Sequence, residues 1–361
     1  MPDTAEQGPI TWLYTSPDGE SWEMVLESAH LEIAGLMAGG PGYVLVGTRY
    51  LPPGASDLHL APWAAWSADG ETWQEADIVL PTLDTVGRAV SSLDLTPGGV
   101  GVAAPMSADG PTIAGAWISD LVATRDGFVA LGHSQDPDHR TILWTSVDGS
   151  TWIPEASDPF GDDVTVRRLA AGTDVFVAYG HRDAGGDQPG ALLTWYSSDA
   201  VHWAPAVGDP SFEDAFGAGP LVAGVVAVGD GLVMLGTEWV GPPMAWVSTD
   251  GRTWGAPSRL PSLSETSAEI RAVAASPDWV VAVGREVTVG DDAAASQHPG
   301  IWASSDGVEW SQVPPEMLRG SRTEAGISVH AVAWVDDGWL ALGTVWDYPD
   351  EVPTSVAWTG R

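Results

Sequence analysis

The sequence predicts an all-β fold built from one repeated four-stranded antiparallel unit, and three observations predict it. A pattern S-x-D-G-x-x-W occurs six times, and a short apolar run ending in glycine lies upstream of it in repeat after repeat. Glycine and proline, 43 and 28 of 361 residues, supply the turns that many short strands need. Together they stay below the roughly 25–30% that marks low-complexity disorder.

The six boxes contain Asp18, Asp69, Asp148, Asp199, Asp250 and Asp306, followed four positions later by Trp22, Trp73, Trp152, Trp203, Trp254 and Trp310. Only Ala200 replaces the box glycine. The aspartates are 51, 79, 51, 51 and 56 residues apart, a period of about 51 with one interval enlarged by 28. A second tryptophan stands four positions before the aspartate in four copies, Trp144, Trp195, Trp246 and Trp302, and Trp358 sits where a seventh copy would begin. Asp and Ser side chains accept hydrogen bonds from backbone N–H groups a little further along, and glycine supplies the positive φ such a turn needs. Tryptophan can bury its ring between neighbouring hairpins while its N–H finds an acceptor. Six repeated aspartates cannot all be active-site residues, so the box reads as a structural turn.

The apolar runs ending in glycine are 44–47, 129–132, 177–180, 233–236, 281–284 and 340–343, each preceded by another apolar run and a turn. That is a buried hairpin. The unit therefore reads strand A, tight turn, strand B, variable loop, strand C with the first tryptophan, the box turn, and strand D starting at the second tryptophan. Four antiparallel strands per roughly 50 residues make a β-propeller blade, and the chain reads as a single propeller domain over 1–361.

The boxes closely resemble the Asp-box, or BNR, repeat of sialidases, some endoglucanases, sortilin-type receptor propellers and a photosystem assembly factor. The resemblance spans nearly the whole chain. It implies a β-propeller in which the box is a structural turn on the face away from the ligand. It implies no reaction, because enzymes, receptors and assembly factors share the box.

Six A–B pairs are clear, and the enlarged interval, near 86–118, holds either a degenerate blade or an insertion. Its candidate hairpin runs from Ala89 and Val90 to Leu95, through a turn at 96–99, to 100–104, but it lacks a complete box. Seven blades are preferred, with six and an insertion as the alternative. The chain starts inside a unit, with strand C at 12–16, and ends after strand C at Trp358. Ring closure would then join N- and C-terminal strands in one blade, with one strand too many at the join.

Composition removes several function classes. Fourteen arginines and no lysine stand against 49 acidic residues, a formal charge of −35, so nucleic-acid backbones and anionic membranes are not expected partners. Without cysteine there are no disulfides and no thiol chemistry, without lysine no Schiff base or P-loop, and without asparagine no glycosylation sequon. The first residues carry no basic and apolar leader, so the chain as written reads as cytoplasmic or already trimmed. No 18 apolar residues run together, so no membrane insertion is expected.

The A–D order places the B–C and D–A loops on one face and the boxes on the other. Residues just after the strand-B glycine then form a polar ring at the loop-bearing mouth, and Arg49, His133, His181, Arg182, Glu238, Arg285 and Glu286 are the ligand-binding candidates. A sialidase-like site needs an arginine triad, a Tyr–Glu pair, an Asp acid and an Arg-Ile-Pro motif, and that motif is absent. No catalytic residue is assigned. Acidic loops at 136–139, 161–163, 291–292 and 347–351 admit Ca²⁺ without matching a calcium-loop spacing, so neither a metal nor a cofactor is assigned. A glycine pattern at 99–104 lies in a strand pattern with no helix after it and carries no dinucleotide site. Tyr50, Trp63, Trp239, Trp346 and Tyr348 are candidate loop aromatics for stacking on sugars. The expected function is noncatalytic binding of a protein or carbohydrate ligand through the loop face, outside the cytoplasm or at a surface. The alternatives are a glycoside hydrolase or lyase, and a cytoplasmic location. The oligomeric state is left open.

Overall fold

A computed structural model describes residues 10–15, 23–39, 42–50, 60–83, 89–90, 115–135, 139–155, 158–161, 163–182, 190–208, 212, 219–237, 242–262, 268–289, 295–314, 326–335, 338–346 and 353–360. Among them the chain is all-β, with no α-helix. It divides into two compact units, Met1–Leu169 with Asp199–Trp203, and Ala170–Ser198 with Ala204–Arg361.

In the first unit, Leu31–Gly39, Gly42–Tyr50, Leu60–Ser67 and Gln74–Glu75 bond in that order as strands A to D of one sheet. Ala116–Thr124, Gly127–Ser134, Thr141–Ser146 and Thr151–Pro154 form a second, to which Asp77–Ile78 adds a fifth, parallel strand. The two sheets pack directly on one another: Val44, Val46 and Ala64 of the first share a core with Ile118, Phe128, Trp144 and Trp152 of the second. Of the stretch 86–118, Ala89–Val90 pairs with Thr82–Leu83 and Ala116 opens the next strand A, while the candidate turn at 96–99 and strand at 100–104 lie outside the described residues.

The second unit holds the sheet Leu221–Val228, Gly231–Thr237, Pro243–Ser248, Ser258–Arg259 and the sheet Ala268–Ala275, Val280–Val289, Ala295–Ser304, Ser311–Gln312. Phe176–Arg182, Leu192–Ser197 and Ala204–Pro205 supply three more antiparallel strands in B, C, D order. Gly326–Val335, Gly338–Trp346 and Pro353–Gly360 form a three-stranded sheet. Among the described residues, the terminal strands do not complete a blade together. Ile10–Thr15 pairs instead with Glu23–Ala29, and Pro353–Gly360 ends the three-stranded sheet. Neighbours along the chain pair at the lowest loop-closure cost, so the first strand is taken by its own hairpin.

The box turns share one hydrogen-bond scheme. Ser67, Ser146, Ser248 and Ser304 Oγ accept from the box glycine N–H at 2.8–2.9 Å. Asp69, Asp148, Asp199, Asp250 and Asp306 Oδ1 accept from the N–H two residues on at 2.8–2.9 Å. These backbone donors hold the Asp69, Asp250 and Asp306 carboxyls below the usual carboxylate range; at Asp148 the Ser150 hydroxyl leads and its backbone N–H follows. Gly70, Gly149, Gly251 and Gly307 sit at φ 69 to 82°, and Ala200 takes the same left-handed conformation at 63°. The indole N–H of Trp73, Trp152, Trp203 and Trp310 returns to the carbonyl at the glycine position, 2.9–3.1 Å away. Asp18 and Trp22 lie outside the described residues.

The strand-B glycine has a different cause. In five sheets strand A carries a bulge just past the residue opposite that glycine, between Ile33 and Gly35, Ile118 and Asp120, Val222 and Gly224, Ile270 and Ala272, and Val329 and Ala331. A Cβ at Gly47, Gly132, Gly236, Gly284 or Gly343 would stand 1.8–2.5 Å from a strand-A carbonyl oxygen. No side chain fits there, so glycine is what lets the bulged strand approach.

Two glycine-to-alanine changes separate these causes. Gly70→Ala, whose Cβ meets only the Tyr43 ring at 3.4 Å, is expected to cost about 1 kcal/mol for the left-handed backbone alone. Gly284→Ala, with Cβ 1.8 Å from the Glu269 oxygen, is expected to cost about 3 kcal/mol or more by forcing the bulge open. Chemical denaturation checks both, and equal losses would contradict the assignment.

Candidate functional site

A bulge turns one strand residue out of register and re-aims its side chain. In the second unit the bulged residues of two neighbouring sheets are Arg271 and His330, and the two side chains meet. Arg271 Nη1 donates to Ser328 Oγ at 3.0 Å and to His330 Nδ1 at 2.5 Å. With Nδ1 accepting, the ring proton is on Nε2, which donates to Thr344 Oγ1 at 3.1 Å. Glu269 joins two guanidinium groups, with Arg285 Nε at 2.6 Å and Arg271 Nε at 3.4 Å. Burial of the His330 ring first, and the Arg271 charge second, hold the histidine below its ordinary pKa and keep it neutral at pH 7.

The cluster has two arginines, one carboxylate and a neutral imidazole, so it is locally cationic on a chain of charge −35. The side chains of Arg271 and Arg285 are 24% and 35% exposed, so both are pre-positioned by protein partners yet reachable from solvent. The arrangement can bind hydroxyl, carboxylate or carbonyl oxygens. Glu269 is already committed to two cations.

The other sequence candidates fall in several environments. Arg49 forms a two-pronged pair with Glu75, 3.0 and 3.2 Å, and Tyr50 donates to Glu32. His133 is buried beside Trp117, ring centres 5.3 Å apart, with Ser119 Oγ 3.5 Å from Nε2. His181 is buried, its Nε2 bonded to the Pro220 carbonyl at 2.9 Å. Arg182 is exposed. Glu286 is fully buried, accepting from Ser262 Oγ at 2.6 Å and from Gln312 Nε2. Glu238 lies outside the described residues. Among the described residues no group of three His, Cys, Asp or Glu side chains is placed to hold a metal ion; Asp136, Asp138, Asp162, Asp291, Asp292 and the 347–351 loop lie outside them. Trp63 is not a loop aromatic: it lies inside Leu60–Ser67 and is 5% exposed, because its strand passes through the sheet core. Trp239, Tyr348 and the Trp346 side chain lie outside the described residues.

Sequence reasoning missed Glu269, Arg271, Ser328 and His330. They sit on strand A, where Arg271 and His330 interrupt apolar runs. The glycine opposite is the one signal of the bulge that brings them together. A further buried acid was also missed. Asp120, just past the first unit's bulge at Ser119, accepts from the Leu169 N–H at 2.6 Å. Burial outweighs that bond and the nearby Arg168, pushing its carboxyl up to about 6.

No protein-family model matches the chain, and no curated protein matches it. Among solved structures, a sialidase of Trypanosoma rangeli in complex with the inhibitor DANA is similar over 99% of this chain and 58% of its own, with 12% identity and a TM-score of 0.49. This chain therefore spans little more than half of that sialidase. An α-L-arabinanase of Penicillium chrysogenum complexed with arabinobiose is similar over 66% and 79%, at 12% identity and TM-score 0.42. A Dyadobacter fermentans protein of unknown function is similar over 91% and 94%, at 11% identity and TM-score 0.44. Likenesses at this level assign neither a reaction nor a ligand to the chain.

Two pH measurements follow from the geometry. The NMR titration of His330 is expected to have its midpoint below the ordinary histidine value of 6.5 and to move upward in Arg271→Ala. An unmoved midpoint would remove the contact. Asp120 has a folded pKa raised from 3.8, so its stabilising contribution is complete below about pH 4, falls as pH rises through about 6, and levels off above. The stability of the wild type relative to Asp120→Asn is therefore expected to drop by about 3 kcal/mol between pH 4 and 7. Urea unfolding across that range checks it, and a pH-independent difference would refute it.

Proposed function

We propose that the chain is a single β-propeller of the Asp-box type and a noncatalytic binding protein. It takes a protein or carbohydrate ligand at the strand ends where the B–C loops begin, outside the cytoplasm or at a surface. The six box-bearing repeats and their sheets support the propeller. Direct packing of the sheets on either side of 84–114 favours six blades and an insertion over the seven that the repeat length suggests.

One observation carries the binding reading: Arg271, Arg285 and His330 are held by protein partners around a single carboxylate and remain open to solvent. Acid–base glycoside hydrolysis uses two carboxyl groups facing one bond, one of them with a raised pKa. Among the described residues the cluster has one, tied to two arginines. The acid that is raised, Asp120, is buried against backbone. Two pre-positioned guanidinium groups suit a ligand rich in oxygen acceptors.

A glycan array together with a panel of glycosidase substrates tests this reading. Binding without turnover is expected, weakened about tenfold or more by Arg271→Ala and by Arg285→Ala, while His181→Ala, buried and bonded to backbone, leaves it unchanged. Turnover of any glycoside would establish the enzyme reading instead, and binding indifferent to both arginine variants would remove the site.

A further inference from the structure

The opposite end of the same strands carries a second feature. Val228 and Gly229 belong to the A–B turn of one sheet, and Pro277, Asp278 and Trp279 to the A–B turn of the next. Together with the box residue Asp306 they line a surface cleft of about 620 Å³ in the second unit. The six or so strand residues between the Trp279 turn and Arg285 span about 20 Å, so the cleft is separate from the arginine cluster.

Trp279 is 47% exposed, an unusual state for the largest apolar side chain. Its backbone is not loose. Trp279 N–H donates to Ser276 Oγ at 2.9 Å, Ser276 N–H donates to the Trp279 carbonyl at 2.7 Å, and Asp278 N–H reaches the same Oγ at 3.3 Å. The indole is thus presented on a closed turn, with little backbone ordering left to do on binding. Across the cleft, Gly229 has no atom within 4 Å of where a Cβ would stand, so that wall is open.

The charged side chains lining the cleft are two carboxylates, and no basic group joins them. Asp306 is fixed in place because its Oδ1 accepts the Val308 and Glu309 N–H groups at 2.8 and 2.9 Å. An indole face between two anions is matched by a ligand that is cationic and apolar at once. Inorganic cations leave the indole unused, and neutral sugars leave both carboxylates uncompensated.

We infer that this cleft binds an alkylated ammonium group, with its methyl groups against Trp279 and its charge against Asp278 and Asp306. The group can come from a free small molecule of the choline type or from a methylated lysine side chain of a protein partner.

The test uses the full chain and follows the Trp279 indole N–H in ¹H–¹⁵N spectra, assigned by its disappearance in Trp279→Phe. The titrants, at matched ionic strength, are tetramethylammonium, choline, a trimethyllysine peptide and 3,3-dimethylbutanol, the neutral isostere of choline. A saturable shift with the cations is expected, about tenfold weaker with the neutral isostere, weakened about fivefold by Asp278→Asn and abolished in calorimetry by Trp279→Ala. Tighter binding of choline identifies a free small molecule, and tighter binding of the peptide a protein partner. The absence of a saturable shift with any cation, an equal response to the isostere, or indifference to Asp278→Asn would each overturn the inference. Because Trp279 and Asp278 are at the surface, unchanged thermal melts of their variants exclude unfolding as the cause of lost binding.

Discussion

The repeated tryptophans of strand C and of the box bury large rings between sheets, and most of the described box indoles keep a partner for their N–H while doing so. The strand-C indoles reach outside their own sheets: Trp144 Nε1 donates to the Val79 carbonyl at 3.0 Å and Trp302 Nε1 to the Pro261 carbonyl at 2.6 Å. Both acceptors lie on the segment that leaves strand D of the preceding sheet. The box indoles of Trp73, Trp152, Trp203 and Trp310 satisfy themselves locally, on the carbonyl at the glycine position, and so are free to present the ring to the preceding sheet, whereas the buried Trp254 N–H has no hydrogen-bond partner among the described residues. Trp152 is fully buried in this way, in one core with Val44 and Val46. The box glycine does the same with backbone, since a Cβ at Gly149 would meet Val44 at 2.3 Å and one at Gly307 would meet Val233 at 2.2 Å. Burying an indole in such joints, with its one polar atom satisfied in most of them, makes sheet-to-sheet packing the main source of cohesion within each unit.

A second device repeats with the same phase. The connector eight residues after the box aspartate bonds in parallel to the strand leaving the next box: Asp77 N–H to the Ser150 carbonyl at 2.9 Å, and Val207 N–H to the Arg252 carbonyl at 2.7 Å. The box is therefore more than a turn within its sheet. It is the acceptor for the tail of the sheet before, and its aspartate carboxylate, turned inward on its own backbone N–H groups, holds that acceptor in shape. At the five described boxes the aspartate thus has a structural part to play in the turn.

The candidate site lies where the strand-A bulges interrupt this regular packing. Strand A bulges opposite the strand-B glycine, and the bulge re-aims the extra residue's side chain out of the regular alternation. Alanine fills it at 34 and 223, serine at 119, arginine at 271 and histidine at 330. On a chain so acidic, an arginine is attracted to any carboxylate within reach, and three of the best-placed guanidinium groups, at 49, 271 and 285, are each held by a glutamate. Pairing orients them without neutralising the cluster where two share Glu269.

The periodic part of the molecule was readable in the sequence: the box, the A–B hairpins, the order of the strands within a sheet and the all-β class. All of these rest on contacts between residues close along the chain, where spacing is geometry. Which side chains meet was not readable. The ring of residues after the strand-B glycine was a sound register argument, yet it treated His133, His181 and Glu286 as open positions, and burial depends on the neighbouring sheet. Arg271 and His330 are 59 residues apart and come together only because two bulges in separate sheets face the same way. The sequence alone determined the repeating unit, since alternation, turn chemistry and the glycine requirement are local. The tertiary structure decided which side chains meet, because a hydrogen bond between two sheets depends on how one is rotated against the next, and no pattern within either strand encodes that angle.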